Sequence, residues 1–93
     1  MVNLQSILKR NDANFLASEL GNETVIMDIN TGDYLGLNEV STDIWKMLQQ
    51  PLAANDVVDN LLALYNVSRG ECEKQTLAFL NQMLEQHMIS ISV

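Results

Sequence analysis

Cys72 and His87 are the single thiol and the single imidazole of a 93-residue chain, the pair with which a search for nucleophilic catalysis begins. They stand fifteen residues apart on what reads as one helix, about 22 Å of axial rise and far outside hydrogen-bond reach. One cysteine and one histidine do not complete a Cys/His zinc site, and a lone cysteine forms no internal disulfide. Cys72 reads as a small apolar helix residue. His87, near a helix C-terminus, reads as a favourable end charge or a partly buried residue. Asp56 and Asp59 lie one turn apart, as paired acids would, yet at the start of a helix their carboxylates simply suit the macrodipole. Gly21, Gly32, Gly36 and Gly70 are scattered and form no phosphate cradle at a strand–helix junction. These residues predict a protein that is not an enzyme and carries no metal and no cofactor.

Composition narrows the partners. Five Lys plus Arg against twelve Asp plus Glu give a formal charge of −7, which disfavours nucleic acid, whose binding draws on clustered cations and released counterions. Anionic membrane surfaces are disfavoured for the same reason. Residues 1–20 hold no apolar stretch of signal-peptide character and no run approaches membrane-spanning length, so a cytoplasmic location is expected. At 47% apolar and 18% charged, with no repeat or linker, residues 1–93 are expected to form one small domain.

The elements that would position a site follow from periodicity. Phe15 to Glu19 is a strand candidate, and Glu23 to Asn30 alternates, with Val25, Met27 and Ile29 on one face and Thr24, Ile26 and Asp28 on the other. Asn30-Thr31-Gly32-Asp33 reads as a turn with a positive φ at Gly32. Tyr34 to Leu37 returns as a short strand, with Leu35 and Leu37 inward and Tyr34 and Gly36 outward. Asn38 then caps a helix ending near Gln50 before Pro51. Asn55 is placed to cap a second helix, and Ser68 with Glu71 is a capping box opening a third that runs to about His87. Ile89 to Val93 alternates, as a terminal strand or a packed tail. The fold class expected is α+β, an N-terminal antiparallel three-stranded sheet followed by three helices on one of its faces.

Two features suggest a site. On the third helix Phe79, Cys72, Met83, Thr76, His87, Leu80, Leu84, Leu77 and Met88 sweep an arc of about 180° at ~100° per residue, wider than the stripe that one buried face requires. Either the helix is central, or part of the arc lines a groove. Beside it, an edge strand over Tyr34 to Leu37 would offer free N–H and C=O groups to an extended peptide, and Gly36 would let another backbone approach closely. Acidic residues nearby, Asp33 and Glu73 among them, would favour a partner with some basic residues.

The ordered stretch Val25-Ile26-Met27-Asp28-Ile29-Asn30-Thr31-Gly32-Asp33-Tyr34-Leu35-Gly36-Leu37-Asn38-Glu39, followed by Ile44-Trp45-Lys46-Met47-Leu48 and later by Phe79-Leu80-Asn81-Gln82-Met83-Leu84, resembles the PqqD-like family over about residues 15–90. The resemblance implies a winged-helix-like domain, a recognition element of pathways that modify ribosomally made peptides. Such domains are not enzymes. They bind a precursor's leader as an added strand and hand it to a modifying enzyme or leader peptidase. The Asp28 to Tyr34 spacing looks most like the stand-alone members of lasso-peptide clusters, whose partners are a leader peptidase and a cyclase. Members serving pyrroloquinoline quinone synthesis or another radical-enzyme pathway are similar enough to stay open. A family position often held by Gly is His87-Met88 here, which leaves the turn after the last helix open.

Carried onto this chain, the resemblance implies a peptide-binding strand of Asp33, Tyr34, Leu35, Gly36 and Leu37. It draws the helix contribution from Glu73, Lys74, Leu77, Ala78, Leu80 and Asn81, with Leu77 and Leu80 lining apolar pockets and Lys74 pairing with an acidic leader residue. Trp45 is assigned to the core. Competing readings are a winged-helix DNA-binding regulator, which would need more cations on its third helix than Lys74, and a structural subunit of a larger enzyme.

Overall fold

The computed structural model describes residues 1–92; Val93, the last residue of the expected terminal strand, lies outside the described residues. Strands β1 (Ile7–Arg10), β2 (Phe15–Leu20), β3 (Glu23–Asp28) and β4 (Tyr34–Leu37) are followed by helix α1 (Glu39–Met47), the two-residue β5 (Leu52–Ala53), helices α2 (Ala54–Leu64) and α3 (Arg69–Glu85), and β6 (Ile89–Ser92). The expected three-stranded antiparallel sheet is the meander β2-β3-β4, and a second sheet, β5-β1-β6, closes the other side of the helices.

The meander's hairpin is built as its sequence dictates. The Asp28 carboxylate accepts from the N–H groups of Asn30 (2.8 Å) and Thr31 (3.3 Å), an Asx arrangement that starts the turn. Gly32 takes φ +78° and its N–H returns to the Asp28 carbonyl at 2.7 Å. The buried face of the sheet is that of Thr24, Ile26 and Leu37, packed against α1. Thr24 is 1% exposed, and its hydroxyl oxygen finds no hydrogen-bond partner among the described residues. A buried hydroxyl without a partner costs about 1–3 kcal/mol, so Thr24→Val, which keeps the shape, is expected to raise stability by about 1 kcal/mol in urea denaturation. An unchanged or lower midpoint would mean that the hydroxyl is satisfied.

Helix ends explain the remaining differences from expectation. Asn38 caps α1, its side chain accepting from Ser41 N–H at 2.9 Å, but the helix closes at Met47 rather than near Gln50. Asn55 does not cap α2. The backbone N–H groups of Ala54 and Asn55 donate to the Ser6 and Leu4 carbonyls, both at 2.9 Å, so the N-terminal segment itself satisfies that helix end. The Asn55 amide oxygen accepts from Arg69 instead. Ser68 caps α3 through Glu71 N–H, whereas the Glu71 carboxylate turns to Gln75, so only half of the capping box forms.

α3 ends two residues before His87 because His87 adopts φ +60°. Its N–H donates to the Leu84 carbonyl (3.1 Å) and that of Met88 to the Met83 carbonyl (3.0 Å), the paired bonds of a Schellman termination. This reverses the chain and drops Met88 and Ile89, each 1% exposed, into the core. A glycine fits that backbone without a Cβ penalty. His87→Gly is therefore expected to stabilise the domain by about 0.5–1 kcal/mol, read as a rise in thermal midpoint; a fall would show that the imidazole contributes more than its backbone costs.

The tail forms the expected strand, and its partner is β1, with Leu8 opposite Ile91 and Arg10 opposite Ile89. Nothing in the first ten residues announced β1. It is a four-residue strand whose alternation only becomes meaningful between two partners. One apolar cluster joins both sheets and all three helices, centred on Leu8, Ile26, Leu48, Val57, Leu80 and Met83. Trp45 lies in it, as assigned from sequence. Arg10 stacks over the Trp45 ring at 4.6 Å and donates to the Trp45 carbonyl at 3.0 Å, tying β1 to the end of α1.

Candidate peptide-binding edge and groove

β4 pairs with β3 on one side only, and among the described residues no strand pairs with its other side. In an antiparallel ladder alternate residues turn their N–H and C=O groups to opposite sides. The Asp28 N–H donates to the Asp33 carbonyl at 2.8 Å, and Leu35 and Leu37 stand opposite Ile26 and Thr24 in the same register. Asp33, Leu35 and Leu37 therefore face β3, while the main-chain groups of Tyr34 and Gly36 face outward along the free edge. Gly36 needs no positive φ, and a Cβ there would meet nothing within 4 Å. Packing inside the domain does not demand glycine at this position.

The other edge of the meander, β2, is also unpaired, but it carries Glu19 in an ion pair with Lys46 of α1 (3.8 Å). Charges of this kind blunt an edge. No residue of β4 is charged.

Two depressions lie near the ends of β4; α3 walls one of them, and the turn that follows α3 borders the other. Near the end of β4, a space of about 240 Å3 lies between Asn38, Val40 and Ile44, the end of α2 at Tyr65, and Cys72, Thr76 and Phe79 of α3. The Tyr65 hydroxyl donates to the Asp43 carboxylate at 2.5 Å, which locks the end of α2 to α1. That hydrogen bond, with some burial, pushes the Tyr65 phenol up to about 12, so it stays a donor throughout the physiological range. Near the start of β4, a space of about 420 Å3 lies between Asp33, Tyr34 and Leu35 on one side and Gln86 and Met88 on the other, with Phe15, Ile26 and Asp28 completing it. The start of β4 thus faces the turn that follows α3, and the space against the first half of that helix opens beyond the end of β4. An unpaired strand edge has a recess at its start, and a second recess opens just beyond its end. Such a geometry suits an extended chain that bonds through its backbone and anchors through its side chains.

A profile of coenzyme PQQ synthesis protein D (PqqD) matches residues 23–89, from β3 to the first residue of β6. The chain belongs to the PqqD family. Among solved structures, TbiB1 in complex with the TbiA(beta) leader peptide is similar at a TM-score of 0.80 and 27% identity, over 88% of this chain and 94% of that one. Lasso peptide synthetase B1 complexed with the leader peptide has the same fold, with a TM-score of 0.78 at 22% identity over 89% and 96% of the two chains. No curated protein is significantly similar in sequence. Both structural relatives hold a leader peptide. Among the described residues of this PqqD-family chain, no group of three or more His, Cys, Asp or Glu side chains is placed to hold a metal ion. No helix among the described residues is long and apolar enough to cross a membrane.

Of the residues named from sequence, the structure gathers Asp33, Tyr34, Leu35 and Gly36 at the free edge and its recess, with Tyr34 72% exposed. The Leu37 side chain points into the core. The helix residues named with them lie elsewhere. Leu80 is 0% exposed, so it lines the core and not a peptide pocket. The Asn81 side chain accepts from the Val2 N–H at 2.8 Å and donates to the Leu77 carbonyl, facing the N-terminal segment. Glu73 is paired with Arg69 at 3.0 Å, and Lys74 and Ala78 are exposed on the same far side. At about 100° per residue, that set is centred roughly 160° around α3 from Phe79 and Gln86.

The helix residues that border the recesses, Cys72, Gln75, Thr76, Phe79 and Gln86, were not named as site residues from sequence. Phe79, Cys72 and Thr76 belong to the wide apolar arc, which was the available signal. Periodicity gave the arc its width, but not which of its flanks borders a recess.

Proposed function

We propose that this PqqD-family domain captures the leader of a ribosomally synthesised precursor peptide as an extra strand on β4 and presents it to a modifying enzyme or leader peptidase, in a lasso-peptide pathway of the cytoplasm. The reading rests on one observation above all. The β4 edge is uncharged and open beside the recess at its start, while the C-terminal strand that would be its natural competitor is paired with β1. The 27% identity to TbiB1, a protein held in complex with a leader peptide, supports the same occupant. The lasso pathway is preferred over pyrroloquinoline quinone synthesis because both structural relatives are lasso-type or leader-bound proteins of this fold.

The enzyme that receives the leader would meet the outer face of the meander, where Leu16, Leu20, Ile29 and Tyr34 stand exposed next to the occupied edge. A duplex-DNA reader is a poorer fit. Of the two cations on α3, Arg69 is already held by Asp59 and Glu73, leaving Lys74 alone.

The test is a titration of the domain with the synthetic leader of the precursor encoded beside its gene, followed by amide hydrogen exchange. Binding at micromolar or tighter affinity should slow exchange at Tyr34 and Gly36, whose N–H groups face out. Leu35 and Leu37, already bonded to β3, should change little. Binding without protection at Tyr34 and Gly36, or no binding, overturns the strand-addition reading.

A further inference from the structure

The recess of about 420 Å3 at the start of β4 is amphipathic. Ile26 and Met88, each 1% exposed, close it at depth, and the half-buried Phe15 and Leu35 add to its apolar lining. Two carboxylates, Asp28 and Asp33, also border it, and no residue of its lining is basic. The hairpin sets these two acids against each other. In the register that pairs Met27 with Tyr34, Asp28 stands opposite Asp33, held there by the Asp28 N–H on the Asp33 carbonyl. Facing residues of an antiparallel pair put their side chains on one face of the sheet, and like charges so placed repel.

Nothing within the domain answers that charge. One Asp28 oxygen accepts from the Asn30 and Thr31 N–H groups, and the other has no partner among the described residues. The Asp33 carboxylate makes no hydrogen bond or ion pair among them. The cations that do form ion pairs are engaged elsewhere: Arg10 with Asp12, Lys46 with Glu19, and Arg69 with Asp59 and Glu73. Of the two acids that the sequence suggested would favour a basic partner, Glu73 is therefore already neutralised by the domain, whereas Asp33 is not. A long basic side chain complements such a recess, because its methylene stem covers apolar surface while its charged head stays at the rim.

We infer that this recess takes one basic side chain of the leader, its stem against Ile26 and Met88 and its head between Asp28 and Asp33. Arginine suits it better than lysine, since a planar guanidinium presents donors to two carboxylates at once. The register also places that residue. A leader strand on this edge bonds to the outward main chain of Tyr34, and the leader residues on either side of that bond, opposite Asp33 and Leu35, turn their side chains to the face that carries the recess. The basic residue is thus an immediate neighbour of the leader residue bonded to Tyr34. The inference rests on the leader-binding reading and adds to it a charge requirement at one leader position, with Asp28 and Asp33 as the specificity-determining residues.

The test neutralises both sides of the pair. Each Arg or Lys of the synthetic leader encoded beside this gene is replaced in turn by an uncharged isostere, citrulline or norleucine. Each peptide is titrated into the wild-type domain, an Asp28→Asn, Asp33→Asn variant, and an Asp56→Asn, Glu71→Gln control that removes the same two charges at exposed positions outside the recess. One replacement should weaken binding to wild type and control by about 5- to 10-fold, the effect of losing a partly exposed charge-assisted hydrogen bond, and binding to the recess variant by less than about twofold. Asparagine at position 28 keeps an oxygen for the Asn30 and Thr31 N–H groups, and position 33 is exposed, so the hairpin is kept, which circular dichroism checks. A leader without Arg or Lys, no replacement that weakens wild-type binding beyond twofold, or an equal loss in wild type and recess variant overturns the cation recess. Amide protection at Tyr34 and Gly36, read on the same complexes, keeps the two claims apart. With protection present, strand addition stands while the recess proposal falls; with protection absent, the leader-binding reading itself fails.

Discussion

Gly36→Pro is expected to weaken leader binding by at least about 100-fold while leaving the domain folded. The register places the Gly36 N–H on the outward side of β4, opposite Val25 in a pair that exchanges no ladder bonds. Removing it therefore takes nothing from the β3–β4 ladder, and proline is tolerated on an edge strand whose missing N–H faces away from its neighbour. The preceding Leu35 is already extended, the conformation a following proline demands. What is lost is the donor closest to the middle of the edge. What is gained is a ring projecting where the incoming carbonyl must sit. A 100-fold loss corresponds to about 2.7 kcal/mol, the sum of one main-chain bond and a clash. Gly36→Ala is the control. Its Cβ enters open space on the outer face, so binding should stay within a few-fold of wild type. Isothermal titration of both variants decides the matter: equal affinities for Pro and wild type would place the leader somewhere other than this edge.

Trp45→Ala is expected to cost about 3–5 kcal/mol of stability, the range for truncating a buried large aromatic side chain. Trp45 is 4% exposed at the junction of both sheets and α1, and its ring is the platform for Arg10 at 4.6 Å. Truncation opens a cavity and leaves the Arg10 guanidinium, itself bonded to Asp12 at 2.8 Å, without the apolar surface beneath it. Against a total of about 5–15 kcal/mol for a domain of ordinary stability, this is a large fraction. At about 4–8 °C per kcal/mol for a chain of this size, the thermal midpoint should fall by about 12–40 °C, measured by far-UV circular dichroism. A drop under about 5 °C would mean that the ring is not packed as described.

Much of the fold is legible residue by residue. The Asx turn at Asp28 with Gly32, the alternation that puts Leu37 inside and Tyr34 and Gly36 outside, the Asn38 cap and the Ser68 cap are local events, fixed by side chains that reach their own backbone within a few residues. The candidate strand edge is legible for the same reason. The helix side of the site is not. Leu77, Leu80 and Asn81 share the general apolar and amide character of Phe79, Gln75 and Gln86. Their positions around α3 separate them by angle but do not say which angle points to β4. That angle is set by the packing of α3 on α2 and β6 and by the Val2 N–H on Asn81, contacts between residues up to 79 positions apart.

β1 and β5 were invisible for a related reason. Ile7–Arg10 and Leu52–Ala53 are too short to show a period, and they become strands only by pairing with one another and with the C-terminal segment. His87 held the turn after α3 in a conformation that sequence rules assign to glycine, and the burial of Met88 and Ile89 behind it accounts for the difference.

The sequence by itself determined the hairpin, the starts of α1 and α3, the acidic character of the chain and the family resemblance that the profile match bears out, because each depends on neighbours along the chain or on composition. Only the tertiary structure decided which flank of α3 borders a recess, and that the C-terminal strand joins β1 and leaves β4 open. Both are outcomes of long-range burial, in which a whole helix rotates and a whole strand chooses its partner to remove the most apolar surface from water.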